Sequence, residues 1–165
     1  MRILTISDTH GDLRALTAVL LSHPEADIVM HCGDGERELN TFLQEHRDYM
    51  ARCYHVKGNC DLCSISPTEL ALDLPFGHRL IAVHGHEHLY GGEAGLVRLA
   101  QRQEADLVLF GHLHCRTDFV MEGIRIFSPG SASRPRDGKP PAYGLIDIQP
   151  GGIVVNHGEV PRSIG

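Results

Sequence analysis

Nowhere in this 165-residue chain do apolar residues run for the roughly 18 positions that a membrane-spanning helix needs. The opening apolar stretch, Ile3 to Ile6, stops at Asp8 and is too short for a signal-peptide core, so the protein is read as cytosolic. An excess of basic residues is also missing: 15 Lys and Arg stand against 21 Asp and Glu, a formal charge of −6. Binding to a long polyanion normally shows as a basic face, so nucleic acid is a disfavoured partner. An even set of cysteines is lacking too. The five thiols (Cys32, Cys53, Cys60, Cys63 and Cys115) are odd in number, which favours reduced side chains over a disulfide framework. Cys60 and Cys63 form one C-x-x-C pair, but no second pair completes a zinc site. No repeat, low-complexity segment or long linker interrupts the chain, and a single domain over residues 1–165 is expected.

What is present is an alternation of strands and helices. Arg2–Ser7, Asp27–His31, Ala51–Lys57, Leu70–Leu74, Arg79–His84 and Asp106–Phe110 read as strands. Helical spacing covers Leu13–Leu21, Glu36–Glu45 and Ala94–Gln103. Gly58–Thr68 reads as a polar loop. Two hairpins follow: Thr117–Met121 with Ile124–Phe127 across Glu122-Gly123, and Tyr143–Ile148 with Ile153–His157 across Pro150-Gly151-Gly152. An α/β front and a β-rich back pack naturally as two sheets inside and helices outside.

The chemistry sits at the strand ends. Asp8-Thr9-His10, Gly33-Asp34, Gly58-Asn59-Cys60-Asp61, His84-Gly85-His86 and Gly111-His112-Leu113-His114 each follow or close an expected strand. In α/β sheets, ligands gather beyond the carboxyl ends of strands, so five strand ends can deliver their polar groups to one rim. A core would not accept so many carboxylates and imidazoles without compensation. Each cluster alone has a plainer reading: Asp8 as the cap of the helix near Gly11, Asp34 as a turn residue, Asn59 as an Asx turn. Together they offer enough oxygen and imidazole nitrogen for two divalent cations side by side, a device that activates water against phosphoesters.

These motifs resemble the calcineurin-like metallophosphoesterase superfamily, whose signature runs D-x-H, G-D, G-N-H-[DE], H and G-H-x-H. Within it the chain is most similar to the small, single-domain phosphodiesterase branch with a G-N-C-D third motif. The resemblance implies a four-layer α/β/β/α fold. It further implies that Asp8, His10 and His114 bind one metal, that Asn59, His84 and His112 bind a second, and that Asp34 bridges the two. The main departure is Cys60, where many relatives carry a histidine that protonates the leaving group and is oriented by the position of Asp61. A thiol of ordinary pKa about 8.5 replaces it poorly. His86 is the candidate replacement acid, or else a residue that orients His84. Asp34, Asn59 and His86 are therefore the expected catalytic residues.

The expected reaction is hydrolysis of a small phosphodiester by water that the metal pair has deprotonated. Loss of the acid at position 60 should matter least for diesters whose leaving group needs little help. Two divalent cations outweigh the carboxylates of Asp8 and Asp34, so an acidic protein can still attract a phosphoanion. The donor set suits Mn²⁺, and admits Zn²⁺, Fe²⁺ or Ni²⁺. Arg134, Arg136 and Lys139 lie in a proline-rich loop that could contact phosphate, although solvation is the plainer reading. A homo-oligomer is compatible with the sequence. The alternative reading is a non-catalytic scaffold of the same fold, which would be expected to have lost ligand residues. A nuclease for long DNA ranks third.

Overall fold

A computed structural model describes residues 1–161; the last four positions of the expected 1–165 domain lie outside the described residues. Ten strands form two mixed five-stranded sheets. In the first, β1 (Arg2–Ile6), β2 (Ile28–His31) and β3 (Cys53–His55) run parallel. The antiparallel hairpin of β9 (Ala142–Gln149) and β10 (Gly152–Glu159) adds to β1, giving the order β10-β9-β1-β2-β3. In the second, β5 (Arg79–Val83), β6 (Leu107–Leu109) and β8 (Ile124–Pro129) are parallel. The strands β4 (Glu69–Asp73) and β7 (Arg116–Met121) lie antiparallel at its edges, giving the order β4-β5-β6-β8-β7.

Residues along a strand alternate between faces, and the apolar residues use both. On β1, Ile3 joins the core between the sheets, while Leu4 and Ile6 face the helices α1 (Leu13–Ser22) and α2 (Glu36–Glu45). On β5 and β6, Leu80, Ala82, Leu107 and Leu109 turn inward. Ile81, Val83, Val108 and Phe110 instead pack against Leu96, Val97, Leu99 and Ala100 of α3 (Ala94–Arg102). The result is helices, sheet, sheet, helix: the four-layer sandwich expected.

Boundaries moved where tertiary pairing ruled. The third strand is three residues rather than seven, because β3 is an edge strand that pairs only with Val29, Met30 and His31. The α1 helix is capped not by Asp8 but by Asp12, whose side chain accepts the Ala15 N–H at 2.9 Å. Asp8 is thereby left for another purpose. Short 3₁₀ turns at Arg47–Tyr49 and Leu89–Gly91 carried no periodic signal in the sequence.

One buried histidine ties fold to pH. His31, fully buried at the end of β2, accepts the Gly33 N–H at Nδ1 and meets Thr9 Oγ1 at Nε2. Burial, with His55 nearby, depresses its pKa to about 3. Above the unfolded value of about 6.5 the group is neutral in both states. Below it the unfolded chain takes up a proton that the folded chain refuses, so stability falls between the two values. Relative to His31→Gln, the wild type should lose about 2 kcal/mol more between pH 7.5 and pH 5 in urea unfolding, given about 1.4 kcal/mol per pH unit. Parallel curves for the two proteins would refute this.

Candidate metal centre

Every sequence-expected ligand lies at the carboxyl end of a strand or just beyond it, and the two sheets contribute from opposite sides. Asp8 and His10 follow β1, Asp34 follows β2 and Asn59 follows β3; His84 follows β5, and His112 and His114 follow β6. Asp8, Asp34, His84 and His114 form a buried floor. His10 and His112 are half-buried, and Asn59 is exposed at the rim.

The backbone is bent to bring them there. Asp8 (φ 54°), His10 (42°), Asp34 (58°), His112 (69°) and His114 (58°) all occupy the left-handed region. Non-glycine residues pay a steric cost there and hold it only where surrounding contacts enforce it, typically at functional sites. Close approach requires glycine beside them. A Cβ on Gly58 would collide with the Asp34 carboxylate and backbone, and one on Gly111 with Ser7 Oγ and Asp8 Oδ2.

On one side, His10 Nε2 and His114 Nε2 are 3.0 Å apart, and His114 Nε2 is 3.2 Å from Asp8 Oδ1. His114 Nδ1 lies 2.7 Å from the Arg134 carbonyl, so it carries the proton, and Nε2 presents a lone pair. On the other side, His84 Nδ1 donates to the Cys32 carbonyl at 2.7 Å, and its Nε2 faces Asn59 Oδ1 at 3.0 Å and Asp34 Oδ2 at 3.4 Å. His112 Nδ1 meets the same Asn59 oxygen at 3.1 Å. Asp34 Oδ2 is also 3.8 Å from His10 Nε2, so this carboxylate lies between the two groups.

Asp8 accepts Ser7 Oγ–H and the His112 N–H at Oδ2, but its Oδ1 is buried without a hydrogen-bond partner among the described residues. An orphaned carboxylate oxygen beside imidazole lone pairs is a costly arrangement unless a cation satisfies it. The donor set, carboxylate, amide oxygen and neutral imidazole, fits divalent metal ions. Electrostatics agree. Burial alone would raise the Asp34 carboxyl, but its hydrogen bond and charge contact with His84, with the Cys60 N–H, bring it down to about 2. Burial opposes charge on His84, yet Asp34 and Asp8 hold its pKa above the ordinary value; Asp8 does the same for His114. Burial lowers His10 and His112. The carboxylates thus draw positive charge into the space between these side chains.

The supporting contacts were harder to foresee. Asp61 does not orient the side chain at position 60. Its carboxylate accepts the backbone N–H groups of Asp34 (2.8 Å), Gly35 (3.0 Å), Glu36 (2.9 Å) and Gly58 (2.9 Å). Buried Glu38 accepts Thr9 Oγ1–H and the Gly11 N–H, bracing the Asp8–His10 turn. Ser131 and Ser133 both donate to the Asp8 carbonyl. Asp61, inside a motif, and Ser131, in the turn after the last one, left a trace in the sequence; Glu38 left none.

His86 stands apart. Its ring is 5.5 Å from that of His84 and 6.1 Å from that of His112, and its Nδ1 is buried without a partner among the described residues. It does not orient His84, whose Nδ1 is already engaged by Cys32. At Cys60, desolvation and the neighbouring Asp34 carboxylate push the thiol up to about 11.

Comparison with known proteins shows the family. The chain matches the calcineurin-like phosphoesterase superfamily domain over residues 1–151, and it belongs to that superfamily, whose members are metal-using phosphoesterases. It is 33% identical over 153 residues to the probable metallophosphoesterase YsnB of Bacillus subtilis, covering 90% of this chain and 85% of that one. It is 27% identical over 170 residues to the phosphodiesterase YfcE of Escherichia coli, covering 89% and 88%. A solved Streptococcus pneumoniae protein, described as a predicted phosphoesterase, superposes with a TM-score of 0.83 at 29% identity, covering 99% of this chain and 94% of its own. Among the described residues, no helix is long and apolar enough to cross a membrane.

Proposed function

We propose that this protein is a dinuclear metal-dependent phosphodiesterase acting on small diesters. The observation that carries the reading is the convergence of Asp8 Oδ1, Asp34 Oδ2, Asn59 Oδ1 and the lone-pair nitrogens of His84 and His114 at one rim, with Asp34 between the two groups. Asp8, His10 and His114 would hold one cation, Asn59, His84 and His112 the other, and Asp34 both. When bound, two such ions supply Lewis acidity toward the phosphoryl oxygens and lower the pKa of water from 15.7 toward about 7. The best-suited metal is Mn²⁺, with Zn²⁺, Fe²⁺ and Ni²⁺ compatible with the same donors.

The chain's own contribution is positioning. The Cys32 and Arg134 carbonyls fix the tautomers of His84 and His114, and the Cys60 N–H holds Asp34 through Oδ1 at 2.7 Å. What the site lacks is an imidazolium at position 60, since a thiol, whose ordinary pKa is about 8.5, is a poorer acid. The reaction class therefore favours diesters with leaving groups that depart unaided. The name of the relative YfcE supports the same class. The scaffold reading is weaker, because all seven ligand positions are filled.

The test is hydrolysis of bis(4-nitrophenyl) phosphate against 4-nitrophenyl phosphate, with Mn²⁺ and with a chelator. Diester turnover should exceed monoester turnover and vanish on chelation; the reverse preference, or indifference to the chelator, would overturn the proposal. Cys60→His should raise monoester turnover by only about tenfold, below the usual 10²–10⁴ of general acid catalysis. The reason is that Asp61, held by four backbone N–H groups, is not free to orient the new imidazole.

A further inference from the structure

A groove of 280 Å³ opens directly from the ligand cluster, sharing His10 and Asp34 with it and bounded on its outer side by Arg37 and Arg134. Cys60 forms part of its wall, with Sγ close to the ligand atoms of His10 and Asp34. The carboxylates that line it are already committed. Asp61 is held by four backbone N–H groups, Glu38 by Thr9 and Gly11, and Asp34 by the Cys60 N–H and His84.

The two arginines are not. Neither has a carboxylate within 4.0 Å among the described residues. The four strand arginines do: Arg2 pairs with Asp147, Arg79 with Asp73, Arg116 with Asp137 and Arg125 with Asp118. Arg14, Arg47, Arg52, Arg98, Arg102 and Arg136 are also without a carboxylate partner among the described residues, so what sets Arg37 and Arg134 apart is that both line this groove. Arg37 makes no side-chain hydrogen bond there, and Arg134 makes only a long one, Nη2 to the His10 carbonyl at 3.5 Å. Arg37 comes from the first turn of α2 and Arg134 from the loop after β8, so two separate elements bring a guanidinium to the same groove. A guanidinium fork matches phosphate oxygens, and two of them balance the charge of a phosphate monoester. A long polynucleotide is normally held along a basic track, and a net charge of −6 disfavours one.

We infer that Arg37 and Arg134 form a second anion site beside the metal-ligand cluster, and that the preferred substrate is a small phosphodiester whose ester arm carries a further phosphate. The inference rests on the diesterase reading and narrows its substrate class. The arm that enters the groove places its terminal phosphate between the guanidiniums while the diester phosphorus stays at the cluster.

The test uses a matched pair: thymidine 5′-(4-nitrophenyl phosphate) and the same ester with a 3′-phosphate. In each, water adds at the 5′ phosphorus and the bond to nitrophenolate breaks, releasing 4-nitrophenolate and thymidine 5′-phosphate or 3′,5′-bisphosphate. With Mn²⁺, kcat/KM should favour the 3′-phosphorylated ester about tenfold, on the scale of charge-assisted hydrogen bonds. That ratio should fall to near one in the Arg37→Ala/Arg134→Ala double variant and persist in Arg102→Ala, which alters an exposed arginine of α3. A ratio near one in the wild type, or a ratio retained in the double variant, overturns the inference while leaving the diesterase reading standing. If neither ester is cleaved, the diesterase reading fails instead. Calorimetry then decides the anion site by itself. Thymidine 3′,5′-bisphosphate should bind the Mn²⁺-supplied wild type about tenfold more tightly than thymidine 5′-phosphate. The double variant should lose that preference, and equal affinities in the wild type overturn the site.

Discussion

Replacing Asp34 with Asn should lower diester turnover by about 10³-fold or more, since metal catalysis contributes several kcal/mol to transition-state stabilisation. The substitution keeps the shape and an oxygen for the Cys60 N–H, so the loop has reason to stay in place. What it removes is the negative charge shared between the two ligand groups, with Oδ2 3.4 Å from His84 and 3.8 Å from His10. Metal analysis after dialysis against Mn²⁺ should find two ions per wild-type chain and fewer than one per Asp34→Asn chain, with unchanged circular dichroism. A variant that retains both ions and most of its turnover would show that the pair does not depend on a common carboxylate.

The second large effect is expected at Asp61, which touches none of the ligand atoms. Asp61→Ala strips the acceptors from four backbone N–H groups: those of Asp34, Gly35, Glu36 and Gly58. A buried donor left unsatisfied costs about 1–3 kcal/mol, and some of these would regain water, so a net loss of about 3–5 kcal/mol is expected in urea unfolding. Turnover should fall by about 10²-fold as well, because a displacement of about 1 Å at the reacting centre has that scale. Asp61→Asn, which still presents one oxygen, should recover part of both. If Asp61→Ala lost stability yet bound Mn²⁺ and turned over as the wild type does, the residue would be a fold support and not a positioning group for Asp34.

Much of this architecture was legible because strand and chemistry coincide in the chain. The apolar runs before Asp8, Asp34, His84 and His112 are strands buried on both faces, and such strands announce themselves by composition. The polar clusters directly after them then fall at the carboxyl edge without any further information. The supporting network was not legible for the opposite reason. Apart from the nearby Gly58 N–H, Asp61 and Glu38 act on backbone N–H groups 25 to 27 residues away in sequence, and backbone donors carry no residue signature. The same holds for the helix cap, which passed from Asp8 to Asp12 once Asp8 was drawn into the site. Edge strands such as β3 lose their ends because a single neighbour supports them, and a composition pattern does not reveal which strands lie at an edge.

Asp8, His10, Asp34 and Asn59 come from one sheet and His84, His112 and His114 from the other, so the site straddles the seam of the sandwich. Between the layers the contact is mainly apolar, which is strong but non-directional, with a few directed bonds such as His157 Nε2 to the Ser128 carbonyl at 2.8 Å and His84 Nδ1 to the Cys32 carbonyl at 2.7 Å. Under the proposed function, ions held there would act as further rivets across the joint. Loading the centre should therefore stiffen parts of the protein far from any substrate, and withdrawing the ions should loosen the two sheets from each other before either comes apart.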